Sequence, residues 1–254
     1  MATLDRDGVK IYYEIHGSGP AIVLTHGYSS TAQMWQGQIA PLSQDHTLIL
    51  WDMRGHGQSD SPDDPALYSE EATVADIVAL LDAAGARDAV VGGLSLGGYM
   101  SLAFNRKHPE RVRALLIIDT GPGFKNDAAR EDWNKYAIKS AERFERDGTE
   151  SLKTQSRERA LATHRSAKGL ALAGRGMLTQ RDAGVIASLP DIKAPSLVIV
   201  GAEDKGFLNA ADYMAAKIPG ARKVVIAGAG HAANIDQPDM FNAAVVRFLQ
   251  EIAA

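Results

Sequence analysis

The pentapeptide Gly93-Leu94-Ser95-Leu96-Gly97, followed by Gly98, restricts this chain more than any other feature. It stands between a short apolar run at 89–94 and a helical pattern at 96–108 that Pro109 ends. A strand that turns straight into a helix around one residue leaves no room for side chains on its flanks, and glycine stands on both flanks here. The residue at the tip, Ser95, takes a strained backbone conformation, and its hydroxyl is pushed clear of the sheet. The helix N-terminus beneath it favours developing negative charge. A bare G-x-S-x-G match says little; the strand before it and the helix after it make Ser95 a candidate nucleophile.

The rest of the chain repeats that strand–helix rhythm. Apolar runs occur at 9–15, 21–25, 47–51, 89–94, 114–118, 196–200 and 223–226. Several are almost continuously apolar, such as Leu115-Leu116-Ile117-Ile118, as expected of strands covered on both faces in a parallel sheet. The run at 9–15 alternates instead, which predicts an antiparallel edge strand. Helical patterns are expected at 69–84, 96–108, 210–217 and 236–252. Gly85 marks the stop after the first of these. This alternation predicts a doubly wound α/β sheet. From Gly123 to Ala187 no strand is expected. Helices at 127–146 and 149–164, rich in Arg, Glu and Lys, predict a helical cap at 123–187 between the two parts of a core domain, 1–122 and 188–254.

A serine hydroxyl needs a base to take its proton, and the base needs an acid to fix its tautomer. Of seven histidines, His231 lies in the small-residue loop Gly228-Ala229-Gly230-His231-Ala232-Ala233-Asn234, just before the final helix. The acid expected from chain order is Asp204, in Gly201-Ala202-Glu203-Asp204 after the run at 196–200. Glu203 beside it and Asp119 at the end of another strand are rivals, the latter more in keeping with a loop-organising carboxylate. Two N–H donors should hold an oxyanion: Leu96, after the nucleophile, and Tyr28, in the loop His26-Gly27-Tyr28. His26 reads as an anchor for that loop and His56 as a hydrogen-bond partner within its own. Tyr28, Leu96, Trp35, Met100 and Trp133 are the expected pocket residues.

Composition narrows the alternatives. The net charge is −4, with 27 basic against 31 acidic residues, so the basic footprint of a nucleic-acid binder is missing. The absence of cysteine excludes disulfides and thiolate metal sites. Residues 1–7 carry no signal-like apolar stretch, and no run approaches the roughly 18 apolar residues of a membrane span. A cytoplasmic protein with no membrane partner is expected, and its oligomeric state is left open.

Together, His26-Gly27, Asp52-Met53-Arg54-Gly55-His56-Gly57-Gln58-Ser59, the Ser95 turn, Gly201-Ala202-Glu203-Asp204 and Gly230-His231 resemble the α/β-hydrolase superfamily over essentially the whole chain. The resemblance implies an eight-stranded, mostly parallel sheet with a helical cap after the sixth strand. It implies the triad Ser95, Asp204 and His231, and an oxyanion hole at Tyr28 and Leu96. The stretch His231-Ala232-Ala233-Asn234-Ile235-Asp236-Gln237-Pro238 is similar to enol-lactonases of aromatic catabolism. Serine at position 95 argues against haloalkane dehalogenases and most epoxide hydrolases, which use aspartate. The expected activity is hydrolysis of a small carboxylic ester or lactone, with no cofactor and no metal. C–C bond hydrolysis of a β-diketone on the same triad, or a receptor-like binding member of the fold, stand as alternatives.

Overall fold

The computed structural model describes residues 2–154 and 156–253. Its centre is an eight-stranded sheet of β1 (Ala2–Arg6), β2 (Val9–His16), β3 (Ala21–Thr25), β4 (Thr47–Trp51), β5 (Ala89–Leu94), β6 (Val112–Ile118), β7 (Ser196–Gly201) and β8 (Arg222–Ile226). The spatial order is β1-β2-β4-β3-β5-β6-β7-β8. β3 to β8 pair in parallel, while β2 is antiparallel to β1 and β4.

The helices are α1 (Gln36–Leu42), α2 (Glu70–Ala83), α3 (Leu96–Lys107), α4 (Asp127–Asp147), α5 (Arg157–Ala160), α6 (Ala167–Ala173), α7 (Gly184–Ala187), α8 (Leu208–Lys217), α9 (Ala233–Asp236) and α10 (Pro238–Ala253). Strand residues alternate between two cores. Ile22, Leu24, Leu48 and Leu50 face Leu42 of α1 and Phe241, Val245 and Leu249 of α10. Val23, Ile49 and Val91 face Ile77 and Leu81 of α2, Phe104 of α3 and Met214 of α8. Coverage on both faces explains why the inner strands read as unbroken apolar runs.

Two expectations are corrected. The alternating strand is β2, which lies inside the sheet between β1 and β4; the edge is β1, Ala-Thr-Leu-Asp-Arg, which is mostly exposed. What seats β1 is a two-residue turn. Asp7 and Gly8 both have positive φ, 55° and 86°, as a tight hairpin turn requires, and they set Arg6 opposite Val9. The helix expected at 149–164 crosses residue 155, which lies outside the described residues. On either side of it the chain forms only a 3₁₀ piece at Thr149–Thr154 and the single turn α5. His164 is drawn out of any helix by hydrogen bonds to two core loops, accepting from Gly57 N–H at 3.0 Å and meeting Ser29 O at 3.1 Å.

Between β6 and β7 the described residues form helices and turns and no strand. α4 begins at Asn126, whose side chain accepts from Ala129 N–H at 3.0 Å, and ends at Gly148 with φ 66°. Ala137, Ala141 and Phe144 of α4 and Leu170 and Ala173 of α6 are buried in the same cluster as α2 and α3. The segment therefore lies on the face of the sheet that carries α3. No helix among the described residues is long and apolar enough to cross a membrane.

Candidate active site

Ser95 leaves β5 and caps α3 at φ 55° and ψ −117°, a conformation that ordinary residues avoid at a cost of about 1–3 kcal/mol. Its surroundings over-determine it. The Ser95 N–H donates to Ile118 O at 2.9 Å, and the Ser95 carbonyl accepts from Thr120 Oγ1 at 2.6 Å and Tyr99 N–H at 3.0 Å. The flanking glycines are sterically required. A Cβ on Gly93 would fall 2.5 Å from the Gly97 carbonyl carbon, and one on Gly97 would meet Thr25 O head-on. Ser95 itself is half-buried.

β5, β6, β7 and β8 run parallel, so the loops leaving their C-terminal ends share one edge of the sheet, where open α/β sheets bind ligands. Ser95 follows β5, Asp119 follows β6, Asp204 follows β7 and His231 follows β8. His231 Nδ1 lies 2.8 Å from Asp204 Oδ2, and the imidazole stacks on Phe207 with centroids 5.1 Å apart. Burial lowers the proton affinity of His231, but the hydrogen bond and charge of Asp204, with the charges of Asp119 and Glu158, raise it more, leaving it above the ordinary histidine value. Glu203 is exposed. Asp119 does not bond His231: its carboxylate accepts from Gly201 N–H at 2.7 Å and Ala233 N–H at 3.3 Å, tying the end of β7 to the histidine loop. Burial drives Asp119 up to about 7, against the opposing pull of Gly201 N–H and His231. Among the described residues, neither Ser95 Oγ nor His231 Nε2 has a hydrogen-bond partner. Such bonds are often long in unliganded sites.

The 26–30 loop lies against the turn at Ser95. A Cβ on Gly27 would be 3.5 Å from Ser95 Cβ. The backbone N–H groups of Tyr28 and Leu96 donate to no described residue. His26 anchors the loop, with Nδ1 2.7 Å from Gly27 O and Nε2 accepting Met53 N–H at 3.0 Å. Burial pushes it down to about 3, so the ring is neutral. His56 packs beside it at 5.0 Å, with Nδ1 3.0 Å from Arg54 O. The 52–59 motif is self-bracing: Asp52 accepts from Ala32 and Gln58 N–H, and Arg54 grips Asp76 through two bonds of 2.7 and 2.8 Å. No set of three or more His, Cys, Asp or Glu among the described residues is arranged to hold a metal ion.

A cavity of about 270 Å³ opens beside Ser95. Leu96 and Tyr99 line it from α3, residues 120–124 from the loop after β6, Trp133, Leu178 and Gln180 from the helical segment, and Phe207 and Ala210 from the loop and helix after β7. Of the residues expected to line a pocket, Leu96 and Trp133 are among those that line this cavity. Tyr28, Trp35 and Met100 are not among the lining residues. The Tyr28 ring turns to the helical segment, its hydroxyl donating to Leu170 O at 2.8 Å. Trp35 ends a 3₁₀ turn that carries the chain to the opposite face of the sheet, where its ring packs against Phe241. Met100 lies one helical turn below Leu96, about 6 Å deeper in the core. Sequence reasoning missed Phe124, Leu178, Gln180 and Phe207. Only Phe207, close after Asp204, carried a positional signal.

Residues 22–244 match the model of the alpha/beta hydrolase family, and the chain belongs to that family. It is an enzyme among hydrolases. The enol-lactonase from Burkholderia xenovorans LB400 superposes with a TM-score of 0.85 at 27% identity, covering 98% of this chain and 100% of that one. A thermophilic esterase from Thermogutta terrifontis, in a malate-bound structure, gives 0.84 at 28% identity, covering 99% and 97%. The pimeloyl-[acyl-carrier protein] methyl ester esterase of Nitrosospira multiformis is 27% identical over 94% of this chain and 98% of its own.

Proposed function

We propose that this enzyme hydrolyses a small carboxylic ester or lactone through an acyl-enzyme on Ser95, with His231 as base and Asp204 as its acid. The observation that carries the reading is the His231 Nδ1–Asp204 Oδ2 contact of 2.8 Å at the same sheet edge as the strained Ser95. With Nδ1 held by the carboxylate, Nε2 is the nitrogen left to take a proton. His231 removes the Ser95 proton as Oγ bonds to the carbonyl carbon. The carbonyl electron pair moves to oxygen, where the Tyr28 and Leu96 N–H groups and the α3 N-terminus stabilise it. Collapse breaks the bond to the alkoxy oxygen, which takes its proton from His231. Water then loses a proton to His231, attacks the acyl carbon, and releases the acid as Ser95 recovers its proton. No step requires a cofactor.

The helical segment at 123–187 acts as the cap. Trp133, Leu178 and Gln180 of that segment line the cavity beside Ser95 and so shape the acyl site. The ester- and lactone-hydrolysing relatives support a small-molecule substrate. The test is Ser95→Ala assayed on p-nitrophenyl butyrate and with a fluorophosphonate label. We expect turnover to fall by at least about 10³-fold and labelling to vanish. Turnover near the wild-type level in that variant would remove Ser95 from the mechanism.

A further inference from the structure

One polar side chain in the cavity is unsatisfied. Gln180 is 9% exposed, and its Oε1 is buried without a hydrogen-bond partner among the described residues. Its root is held at both ends of the peptide: Gln180 N–H donates to Asn134 Oδ1 at 2.8 Å, and Asn134 Nδ2 donates to Gln180 O at 2.9 Å. Gly123 leaves the space for the amide, since a Cβ there would fall 2.9 Å from Oε1. The other polar side chains of the wall, Ser95 apart, already donate elsewhere. Thr120 Oγ1 donates to Ser95 O, Tyr99 OH to Glu70 at 2.9 Å, and Trp133 Nε1 to Leu178 O at 2.8 Å. No lining residue carries a charge.

We infer that Gln180 determines specificity, selecting uncharged esters or lactones whose acyl part carries a hydroxyl or amide group. The inference rests on the reading of Ser95 as nucleophile. The acyl part stays bonded to Ser95 through both steps, so the cavity beside Ser95 must hold it. A carboxamide offers one acceptor and one donor group. A hydroxyl or secondary or primary amide both donates and accepts, so it satisfies Gln180 whichever way the amide is turned. An alkyl chain leaves Oε1 orphaned, which is costly in a buried site. A carboxylate only accepts, so it also leaves Oε1 unpaired, and it finds no cation in the wall to offset its desolvation.

The experiment measures kcat/KM of the intact enzyme on three p-nitrophenyl esters that share one leaving group: the pentanoate, the succinamate and the mono-succinate, each corrected for uncatalysed hydrolysis. Wild type should favour the succinamate over the isosteric succinate by at least about tenfold. In Gln180→Met the succinamate-to-pentanoate ratio should fall about fivefold. Equal turnover of succinate and succinamate overturns the inference without any variant. So does a ratio unmoved in a folded Gln180→Met, while Ser95-dependent cleavage persists. Cleavage that survives in Ser95→Ala overturns the nucleophile reading instead, and an inert succinamate beside Ser95-dependent cleavage of the pentanoate overturns the inference alone.

Discussion

Replacing Asp204 by Asn removes the charge that a protonated His231 meets while leaving an oxygen of similar size. The pair is 2.8 Å apart between Nδ1 and Oδ2, and both side chains are largely buried, 26% and 10% exposed. Taking charge centres about 4 Å apart and an effective dielectric of about 20, the lost attraction is about 4 kcal/mol. At 1.36 kcal/mol per decade that is about 10³-fold in kcat. Asp119 remains near enough to support the imidazolium and keeps the loss from growing further. The assay is kcat/KM on p-nitrophenyl butyrate across pH. Burial lowers the proton affinity of His231 and Asp204 raises it by more. Without the carboxylate the acid limb of the profile should move to lower pH, because the base needs a neutral imidazole. A loss under tenfold, or a limb displaced upward, would refute the assignment of Asp204.

Two further perturbations probe the frame around the site. Burial pushes His164 down to about 4, below the ordinary histidine value of about 6.5. A histidine depressed in the folded state costs stability as pH falls through its unfolded pKa, so wild type should lose about 2 kcal/mol from this residue between pH 8 and pH 5. His164→Gln forfeits the bonds to Gly57 and Ser29 and removes that pH dependence with the imidazole, so its deficit in urea unfolding should shrink by about 2 kcal/mol as pH falls over the same interval; a constant deficit would be inconsistent with a buried neutral ring. Gly97→Ala forces a methyl group into the Thr25 and His26 carbonyls, with His26 O only 2.7 Å from the new Cβ. Activity should fall more than about 100-fold even in protein that retains its circular dichroism, since a displacement of about 1 Å suffices for such a loss; near-normal kcat would show that the turn at Ser95 tolerates rearrangement.

Most of the sheet was legible because its strands are buried on both faces and therefore apolar throughout, a local signal. The turn at Ser95 was legible because its glycines are demanded by atoms within five residues and one neighbouring strand. β1 was not legible from hydrophobicity, since an edge strand has little to bury; Asp7-Gly8 was the overlooked cue. The segment after β6 was read correctly for α4, whose cap and length are local, and poorly beyond Gly148, where His164 and Tyr28 exchange hydrogen bonds with partners more than a hundred residues away.

Ser95, Asp204 and His231 were each nominated by chain order and by the loops that follow their strands, and sequence alone determined that much because each signal is carried by a few consecutive residues. Which carboxylate meets His231 was decided only by the tertiary structure. Asp119 and Asp204 both leave parallel strands at the same edge, and they differ in that backbone N–H groups of Gly201 and Ala233 claim Asp119 while His231 claims Asp204. The cavity wall was decided there too. Trp35 faces the opposite layer of the sheet and Met100 is buried in the core one helical turn from Leu96, whereas Gln180 reaches the cavity from a segment distant along the chain. A cavity is enclosed by whichever surfaces the packing of sheet and helices brings together, and no residue encodes that alone.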